Sequence, residues 1–479
     1  MSGKVRGLLI DVTPLRESVA FRRVFIARCI SLIGIGLLLV AVPVQMYQLT
    51  GSSFQVGAAT AVTGAMTFVG MLSGGVLADR FDRKRLILVG RSAAAVSFAA
   101  LAANAFGAFG GEPSTAAVYG IAAFDGLIGA LSAAALMAAV PTLISRDLLV
   151  AVGALSSLSV RIAGALSPGI AGFLIAGFGV GWTYTVAAVL ATFTVLILLG
   201  LPSMPPHAEV LGAAGDGPSG DGAPEAEAVD AEANAGLQGP GSESSGSAGS
   251  VSDDAVAEPQ AGDQSAAHDS AADAPPSLAA FLRHQPVVGS VIVLGVLSML
   301  GAGIVALLPG LVAERFGGDS RATGLLFAAV ALGATISALT SGWLSSVRRP
   351  GTLLLAVLAA GFTIQVLFGL SPLLIVALVL LGTVGFLDAI GEVLRYSLIQ
   401  QHTPGPLLGR VNGIWIAQEV GGVTVGSLVA GALGSIWAPS TAIVFYGLGL
   451  LVLAVVAALS MRSLNAVRHE PREAVPART

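Results

Sequence analysis

The chain has 479 residues, of which 54% are hydrophobic and 11% are charged, with a mean hydropathy of +0.85 and a formal net charge of −4. A soluble globular domain needs more polar surface than this composition supplies, so the sequence indicates a membrane protein. The single cysteine, Cys29, falls inside an apolar run, which excludes an intramolecular disulfide and argues against a thiolate metal site.

Twelve apolar runs are long enough to cross the membrane, since a hydrocarbon core of about 30 Å takes roughly 20 helical residues. In chain order they span approximately 24–47, 56–78, 86–107, 116–141, 149–176, 181–202, 287–312, 323–345, 352–370, 373–400, 408–434 and 438–461. The sequence therefore predicts an all-α membrane protein, with one six-helix bundle in residues 1–203 and a second in residues 277–465.

Between the two sets of runs, residues 204–276 consist mainly of Ala, Gly, Ser, Asp and Glu. They contain 14 of the 28 acids of the chain and no Lys or Arg. A segment with so few large apolar residues cannot bury a core, so we predict a disordered acidic linker. Residues 466–479 are predicted to form a short cytoplasmic tail.

The basic residues between the runs predict how the chain lies in the membrane. If twelve helices alternate in direction, nearly all of these residues fall on the side of the two termini, and only Arg315 and Arg321 break the pattern. By the positive-inside rule, both termini and the linker lie in the cytoplasm. The predicted location is the cell (inner) membrane, and the N-terminal stretch does not have the pattern of a cleaved signal peptide.

The two halves also repeat a sequence pattern. The stretch "SGGVLADRFDRKR" at 73–85 has a weaker counterpart in "TSGWLSSVRRPG" at 340–351, and each follows the second run of its half. Likewise, "LLVAVGALSSLSVRIAG" at 148–164 matches the position of "LLGRVNGIWIAQEVGG" at 407–422. This repeat is typical of transporters built from two parallel six-helix bundles.

The stretch "GGVLADRFDRKR" resembles the signature between helices 2 and 3 of the major facilitator superfamily. A closer likeness covers nearly everything except the linker, because "FRRVFIARCISLIGIGLLLVAVPVQMYQLTGSSFQVG" and "LLGRVNGIWIAQEVGG" resemble the enterobactin exporter family. The resemblance implies the major facilitator fold and the export of a catecholate siderophore from the cytoplasm. Composition and spacing by themselves do not indicate this cargo.

The charges of the same stretch suggest a gate. Gly74 and Gly75 would let helix 2 approach a helix of the other bundle, and Asp79 could meet Arg83 and the positive N-terminal end of helix 11. Such contacts exist only when the cytoplasmic side is closed, so we hypothesise a latch that stabilises the outward-facing state. The latch comprises Gly75, Asp79, Arg80, Arg83, Lys84 and Arg85. The alternative is a basic anchor that only fixes the orientation of the chain.

Several ionisable residues fall inside the apolar runs, where each costs about 2.5 to 3.5 kcal/mol and so needs a partner or a function. They are Arg28, Asp125 and Arg161 in the N-terminal half, and Asp388, Glu392, Arg395 and Glu419 in the C-terminal half. The resemblance to the superfamily implies that helices 1, 4, 7 and 10 line the cavity. It therefore implies that Arg28, Asp125, Asp388 and Glu392 lie on or near the transport pathway.

Asp388, Glu392 and Arg395 share one helix face, at spacings of i, i+4 and i+7. Two carboxylates four residues apart repel each other in a low dielectric, which favours proton uptake by one of them. We therefore predict proton coupling at Asp125 first and at Asp388 or Glu392 next. One alternative is a set of structural ion pairs, Arg28 with Asp125 or Glu392 with Arg395. The acids of helix 10 are also compatible with a cationic cargo.

The stretch "RIAGALSPGIAGF" in helix 5 resembles a degenerate antiporter motif of drug and proton exchangers, with Ser167 in place of the usual glycine. Proline would bend the helix, and the glycines would permit close packing against the other bundle. The motif residues are Gly164, Pro168, Gly169 and Gly172. The alternative is an ordinary kinked membrane helix that is rich in small residues.

No phosphate-binding loop of the form G-x-x-x-x-G-K-[ST] is present, so ATP is not the direct energy source. Metal-ligand spacings and a nucleophile elbow are also missing, and we predict no enzyme activity, no cofactor and no nucleic-acid partner. The leading hypothesis is a monomeric, proton-driven exporter of a siderophore or a similar amphipathic metabolite, in which Trp415 is a candidate for stacking on a catechol. The alternatives are a multidrug/proton antiporter for hydrophobic compounds and a membrane sensor that does not transport.

Overall fold

The computed structural model describes residues 13–144, 148–202, 278–465 and 467. These residues form helices joined by turns, with no β-strand among them. The predicted linker 204–276 lies outside the described residues, and so does the predicted tail 466–479 apart from Val467.

Within the described residues, twelve helices are long and apolar enough to cross a membrane, which confirms the predicted number. We number them in chain order as α1 (Val19–Thr50), α2 (Ser53–Arg80), α3 (Arg83–Ala105), α4 (Thr115–Leu143), α5 (Leu149–Phe178), α6 (Val180–Leu199), α7 (Pro286–Arg315), α8 (Ser320–Ser346), α9 (Pro350–Leu370), α10 (Leu374–His402), α11 (Gly405–Ile436) and α12 (Pro439–Ser460). Short helices, Thr13–Glu17, Leu278–His284 and Arg462–Asn465, flank the two halves.

Local caps determine where the first membrane helices begin and end. Ser18 accepts a hydrogen bond from the N–H of Phe21 at 3.1 Å at the start of α1, and Asp82 accepts one from the N–H of Arg85 at 3.1 Å at the start of α3. Gly51 ends α1 with a φ of 62°, in the left-handed region that favours glycine. Because these connections are so short, α1, α2 and α3 run antiparallel to one another.

The two halves pair their helices in the same way. In the N-terminal half, α1 packs against α5 and α6, α2 against α4, and α3 against α4 and α6. In the C-terminal half, α7 packs against α11 and α12, α8 against α10, and α9 against α10 and α12. The architecture is therefore two six-helix bundles of equivalent topology, as the internal repeat predicts.

Helix α7 is not a continuous α-helix. It consists of an α-helix at Pro286–Gly301, a 3₁₀ segment at Ala302–Leu307 and a final α-helix at Leu308–Arg315. The 3₁₀ segment lies against α11, where a Cβ atom on Gly303 would be 2.1 Å from the carbonyl carbon of Gly426. Glycine therefore permits direct backbone contact between α7 and α11.

Among the described residues, the closest backbone contacts between the two bundles lie towards one end of the molecule. We call the end where α1 begins and α12 finishes the terminal face, and the end that carries Gly51 and Gly179 the distal face. Near the distal face the bundles meet along α2 with α11 and along α5 with α8. A Cβ atom on Gly57 would be 2.2 Å from the carbonyl oxygen of Ser427, and one on Gly324 would be 2.5 Å from that of Pro168.

Near the terminal face the same four helices carry glycines that have open space around them. The described atoms leave a clearance of at least 4 Å around a Cβ atom built on a glycine of each helix: Gly75, Gly153, Gly342 and Gly413. Among the described residues, the bundles are therefore closely packed near the distal face, whereas space is open at these four glycines near the terminal face; we call this space the gap.

Gly74 contacts a different partner from the one that the sequence predicts. A Cβ atom on Gly74 would be 3.1 Å from the Cβ of Ala134 and 3.1 Å from the Cα of Leu131, both in α4 of the same bundle. The glycine serves close packing of α2 on α4 rather than an approach to the other bundle. Gly75, one residue further along the helix, points about 100° away and has open space.

Candidate functional site

The acids of α10 lie on the side of that helix that faces the middle of the molecule. Asp388 is exposed, and its Oδ1 accepts a hydrogen bond from the hydroxyl of Ser298 in α7 at 2.5 Å. Ser298 is itself buried. The contact ties α7 to α10 at mid-membrane and holds one carboxylate oxygen of Asp388 in place.

Arg395 lies two turns further along the same helix and is only 1% exposed. Its guanidinium lies over the Trp415 ring with 5.4 Å to the ring centroid, and its Nε donates to the carbonyl of Gly391 at 3.2 Å. Its Nη2 is buried without a hydrogen-bond partner. A desolvated cation over an aromatic face gains on the order of 2 kcal/mol from the ring quadrupole, so this stacking stabilises the buried charge.

Trp415 is enclosed by other side chains. Its ring is 3% exposed and meets the Tyr396 ring edge-on at 6.3 Å, and its Nε1 donates to Oε1 of Glu419 at 2.9 Å. The ring therefore has no free face for a catechol in this state. Its observed contacts are with Arg395, Tyr396 and Glu419.

Charges of both bundles meet around Glu392. The positive charges that act on it are Arg395 of the same helix and Arg161 of α5 in the N-terminal bundle. Glu419 of α11 interacts with Glu392 and Arg395. Asp388, which also interacts with both of these acids, completes the cluster of three acids and two arginines. Arg161 is the member that the N-terminal bundle contributes.

A second cluster lies within the N-terminal bundle, and the sequence analysis missed one of its members. Arg91 of α3 donates to the hydroxyl of Ser31 in α1 and interacts electrostatically with Arg28 and Asp125. Oδ1 of Asp125 is buried and has no hydrogen-bond partner. Its position in the sequence could have revealed Arg91, because it is an arginine inside the third apolar run, six residues beyond Arg85 of the basic loop.

The structural ion pairs considered from the sequence are not formed in this state. Within the described residues, no ion pair of 4.0 Å or less joins Arg28 to Asp125 or Glu392 to Arg395. The intramembrane charges are close enough to interact, but they do not lock the helices together by direct salt bridges. The described residues also contain no group of three or more His, Cys, Asp or Glu side chains that could hold a metal ion.

The motif glycines of α5 face α8 of the other bundle. A Cβ atom on Gly172 would be 2.7 Å from the carbonyl oxygen of Ser320, whereas Cβ atoms on Gly164 and Gly169 would be in ordinary contact, 3.8 Å and 3.9 Å from alanine Cβ atoms of α8. Ser167 packs instead against α1, where a Cβ atom on Gly36 would be 1.7 Å from its hydroxyl oxygen. The bundles are therefore closest at the Gly172 end of the motif.

The latch residues lie at the terminal face. Arg80, Arg85 and Gly75 are exposed, whereas Lys84 donates to the carbonyl of Leu201 and so stabilises the end of α6. The side chain of Asp79 lies outside the described part of the structure, so its predicted contacts with Arg83 and α11 stay a prediction.

A cavity of about 330 Å³, which we call the side cavity, lies beside this charge cluster. Its walls come mainly from α7, α8, α9 and α10. Its polar lining includes Ser298, Gln365, Asp388 and Arg395. The cavity therefore places apolar walls and buried polar groups next to the gap between the bundles, an arrangement typical of small-molecule sites.

Comparison with known proteins agrees with this architecture. Residues 10–211 match the family model described as "Transmembrane secretion effector", and residues 290–479 match the model described as "Major Facilitator Superfamily". The enterobactin exporter EntS of Shigella boydii is 35% identical over 97% of both chains, and the EntS of an Escherichia coli strain has the same identity and coverage. The chain belongs to the major facilitator superfamily.

Solved structures of the superfamily support the fold. The nucleoside transporter NupG has a TM-score of 0.64 at 12% identity and covers 93% of this chain and 98% of its own. A peptide transporter POT mutant has a TM-score of 0.63 at 14% identity, with coverage of 94% and 96%. The protein is thus a multi-pass membrane transporter of small molecules, similar in sequence to enterobactin exporters.

Proposed function

We propose that the protein is a secondary active exporter of a siderophore of the enterobactin type, or of a similar amphipathic metabolite, and that it acts as a monomer by alternating access. The observation that carries the proposal is the 35% identity to enterobactin exporters over 97% of the chain. The gap between the bundles, which is lined by intramembrane charges and open at one face, supports the same conclusion.

We infer the orientation of the protein in the membrane from its basic residues. Arg80, Arg85, Arg348 and Arg349 are exposed at the terminal face, and by the positive-inside rule this face is cytoplasmic. With this orientation, we infer that the structure corresponds to an inward-open state, in which cargo would enter from the cytoplasm. Rocking of the two bundles would close the terminal face and open the distal face.

Coupling to protons is the part of the proposal that rests on Asp125. A carboxylate oxygen buried without a donor carries a desolvation cost when it is ionised. A proton or a donor group of the cargo would relieve that cost, so the two can compete for one site. Competition of this kind, with the site opened alternately to each side, produces antiport.

A multidrug/proton antiporter is the second candidate. The largely apolar wall of the side cavity favours hydrophobic compounds of many shapes. A sensor that does not transport is the third, and the intramembrane charges of both bundles argue against it because they would cost stability without a role.

Two measurements test the function. Cells that lack the protein are expected to retain the siderophore, while the level in the medium falls; an unchanged level overturns the proposed cargo. Purified protein in liposomes with an imposed pH gradient is expected to accumulate the siderophore in preference to cationic dyes. Preference for the dyes would favour the multidrug antiporter, and no uptake of either would favour the sensor.

The latch gives a prediction for Asp79. Helices α2 and α11 lie apart at the terminal face in this state, because Cβ atoms on Gly75 and Gly409 would have no described atom within 4 Å. Asp79→Asn should therefore leave the inward-open state intact and destabilise only the outward-facing state. We expect at least a tenfold loss of export per molecule, measured as siderophore in the medium against protein level, since loss of one charged hydrogen bond costs about 1.5 to 3 kcal/mol. Glu17→Gln, an exposed acid on the same face, is the control, and export by D79N at the control rate would reject the latch.

A further inference from the structure

The side cavity lies within the C-terminal bundle rather than between the bundles. Among the described residues of the N-terminal bundle, three reach its wall: Leu39, Gly164 and Pro168. Along α10 it extends from Leu381 to Arg395, which corresponds to about 21 Å of helix. A volume of about 330 Å³ spread over this length makes the cavity long and narrow.

Two buried donors without acceptors line this cavity. Gln365 of α9 is 2% exposed, and its Nε2 has no hydrogen-bond partner. Nη2 of Arg395 is likewise buried and has no hydrogen-bond partner. A buried N–H group without an acceptor is unfavourable, and a packed protein rarely keeps one without a reason. Both groups would be satisfied by oxygen acceptors on a molecule that occupies the cavity.

The cavity is accessible from the gap between the bundles. Residues of both bundles form part of its wall, and Asp388, which also lines it, is exposed. A ligand in the gap can therefore place a slender part of itself among α7, α8, α9 and α10. A bulky head group would remain in the gap, near Arg161 and Glu392.

We propose that the side cavity binds one apolar arm of the cargo, an alkyl or aryl arm with carbonyl oxygens that accept hydrogen bonds from Arg395 and Gln365. This inference rests on the proposed export function for the source of the ligand. It makes the C-terminal bundle the part of the protein that selects the length of the arm. Apolar contact with the walls supplies affinity, and the two donors fix orientation.

Gly361 offers a direct test. It lines the cavity, and a Cβ atom built on it would have no described atom within 4 Å, so Gly361→Leu fills the cavity without a steric clash at its base. Gly449 of α12 is the matched control, because it is also a helical glycine without neighbours at its Cβ, but it is exposed and not part of the cavity wall. Leucine favours helix over glycine at both sites, so neither variant should lose helix.

The probes are N-alkyl-2,3-dihydroxybenzamides from N-methyl to N-octyl, bound to the purified full-length protein in lipid nanodiscs and corrected for uptake by empty nanodiscs. Each buried methylene strengthens binding about fourfold, so affinity of the wild-type protein should rise with chain length. We expect G361L to lose at least tenfold in affinity for the octyl probe and little for the methyl probe, while G449L behaves as wild type. Equal dependence on chain length in G361L and wild type would overturn the proposal.

A second variant examines the polar end of the cavity. Gln365→Leu keeps most of the side-chain volume and removes the donor. The amide carbonyl of the octyl probe then loses its hydrogen bond to Gln365, so the probe should bind about two- to tenfold more weakly. Binding that is unchanged in both G361L and Q365L rejects the cavity even if cells export siderophore. If G361L abolishes the length dependence of binding, the side cavity is supported as a binding site. If cells that lack the protein still export siderophore normally, only the proposed cargo is rejected.

Discussion

Replacement of Asp125 by asparagine is expected to abolish gradient-driven export while the protein remains in the membrane. Asparagine keeps the size of the side chain but cannot bind and release a proton. A gradient of one pH unit supplies about 1.4 kcal/mol per proton, so a one-proton exchanger should accumulate its cargo about tenfold and D125N should accumulate none. The measurement is siderophore uptake into proteoliposomes with and without the gradient.

The hydrogen bonds of Asp388 and Glu419 are one reason to place Asp125 before these two acids. Asp388 is held by Ser298 and Glu419 by Trp415, whereas Oδ1 of Asp125 is buried without a donor. Arg91 interacts electrostatically with Asp125, but its hydrogen bond goes to Ser31. Asp125 can therefore bind a proton or a cargo group without breaking a hydrogen bond of α3.

The control for this prediction is Glu112→Gln, an exposed acid between α3 and α4. It should leave gradient-driven uptake unchanged. Full accumulation by D125N would refute coupling at Asp125 and would direct the same experiment to Asp388 and Glu392.

Replacement of Gly324 by alanine is expected to shift the protein towards the outward-facing state. A Cβ atom there would be 2.5 Å from the carbonyl oxygen of Pro168 and 2.7 Å from the Cα of Gly172, so it meets backbone that no side-chain rotation can move. Overpacking of this kind costs about 1 to 3 kcal/mol, and this cost falls on the state in which α5 and α8 touch. The ratio of outward- to inward-facing molecules should therefore rise about five- to 150-fold.

Spin labels can report this shift in a Cys29→Ser background. One pair at Phe178 and Leu373 spans the bundles at the distal face, and a pair at Phe81 and Ser345 spans them at the terminal face; all four residues are exposed. In G324A the distal distance should lengthen while the terminal distance shortens. Lengthening at both faces would instead indicate a loosened protein and contradict the prediction.

A matched control for the same experiment is Gly177→Ala. Gly177 lies on α5 near the distal face, where a Cβ atom would have no described atom within 4 Å. Both spin-label distances, distal and terminal, should be the same in G177A as in the wild-type protein. A similar shift in G177A would mean that the effect comes from the loss of any glycine in this region.

The number of membrane helices could be predicted from the sequence because a bilayer imposes a simple rule of length and polarity. The predicted run 352–370 differs little from α9 (Pro350–Leu370), and every predicted run overlaps one observed helix. The break inside α7 could not be predicted in this way. Its 3₁₀ segment, Ala302–Leu307, is as apolar as the rest of α7, so no change in polarity marks the break.

The charge clusters were harder to predict than the helices, because they depend on which helices pack against each other. Arg91 lies close in sequence to the basic loop, but only the folded arrangement of the bundle brings its side chain to Ser31 of α1. Gly74 and Gly75 are neighbours in sequence, yet a helix turns them towards different surroundings, α4 and open space. The grouping of Glu392 with Glu419 and Arg161 likewise depends on three helices from both halves.

The 3₁₀ segment of α7 has a mechanical consequence. A 3₁₀ helix rises about 2.0 Å per residue with three residues per turn, against 1.5 Å and 3.6 residues for an α-helix. If these six residues became α-helical, α7 would shorten by about 3 Å and its two ends would rotate relative to each other by about 120°. A screw motion within one helix could thus carry a change at Ser298, beside Asp388, to Gly310, where a Cβ atom would be 3.1 Å from the ring of Tyr47 in the opposite bundle.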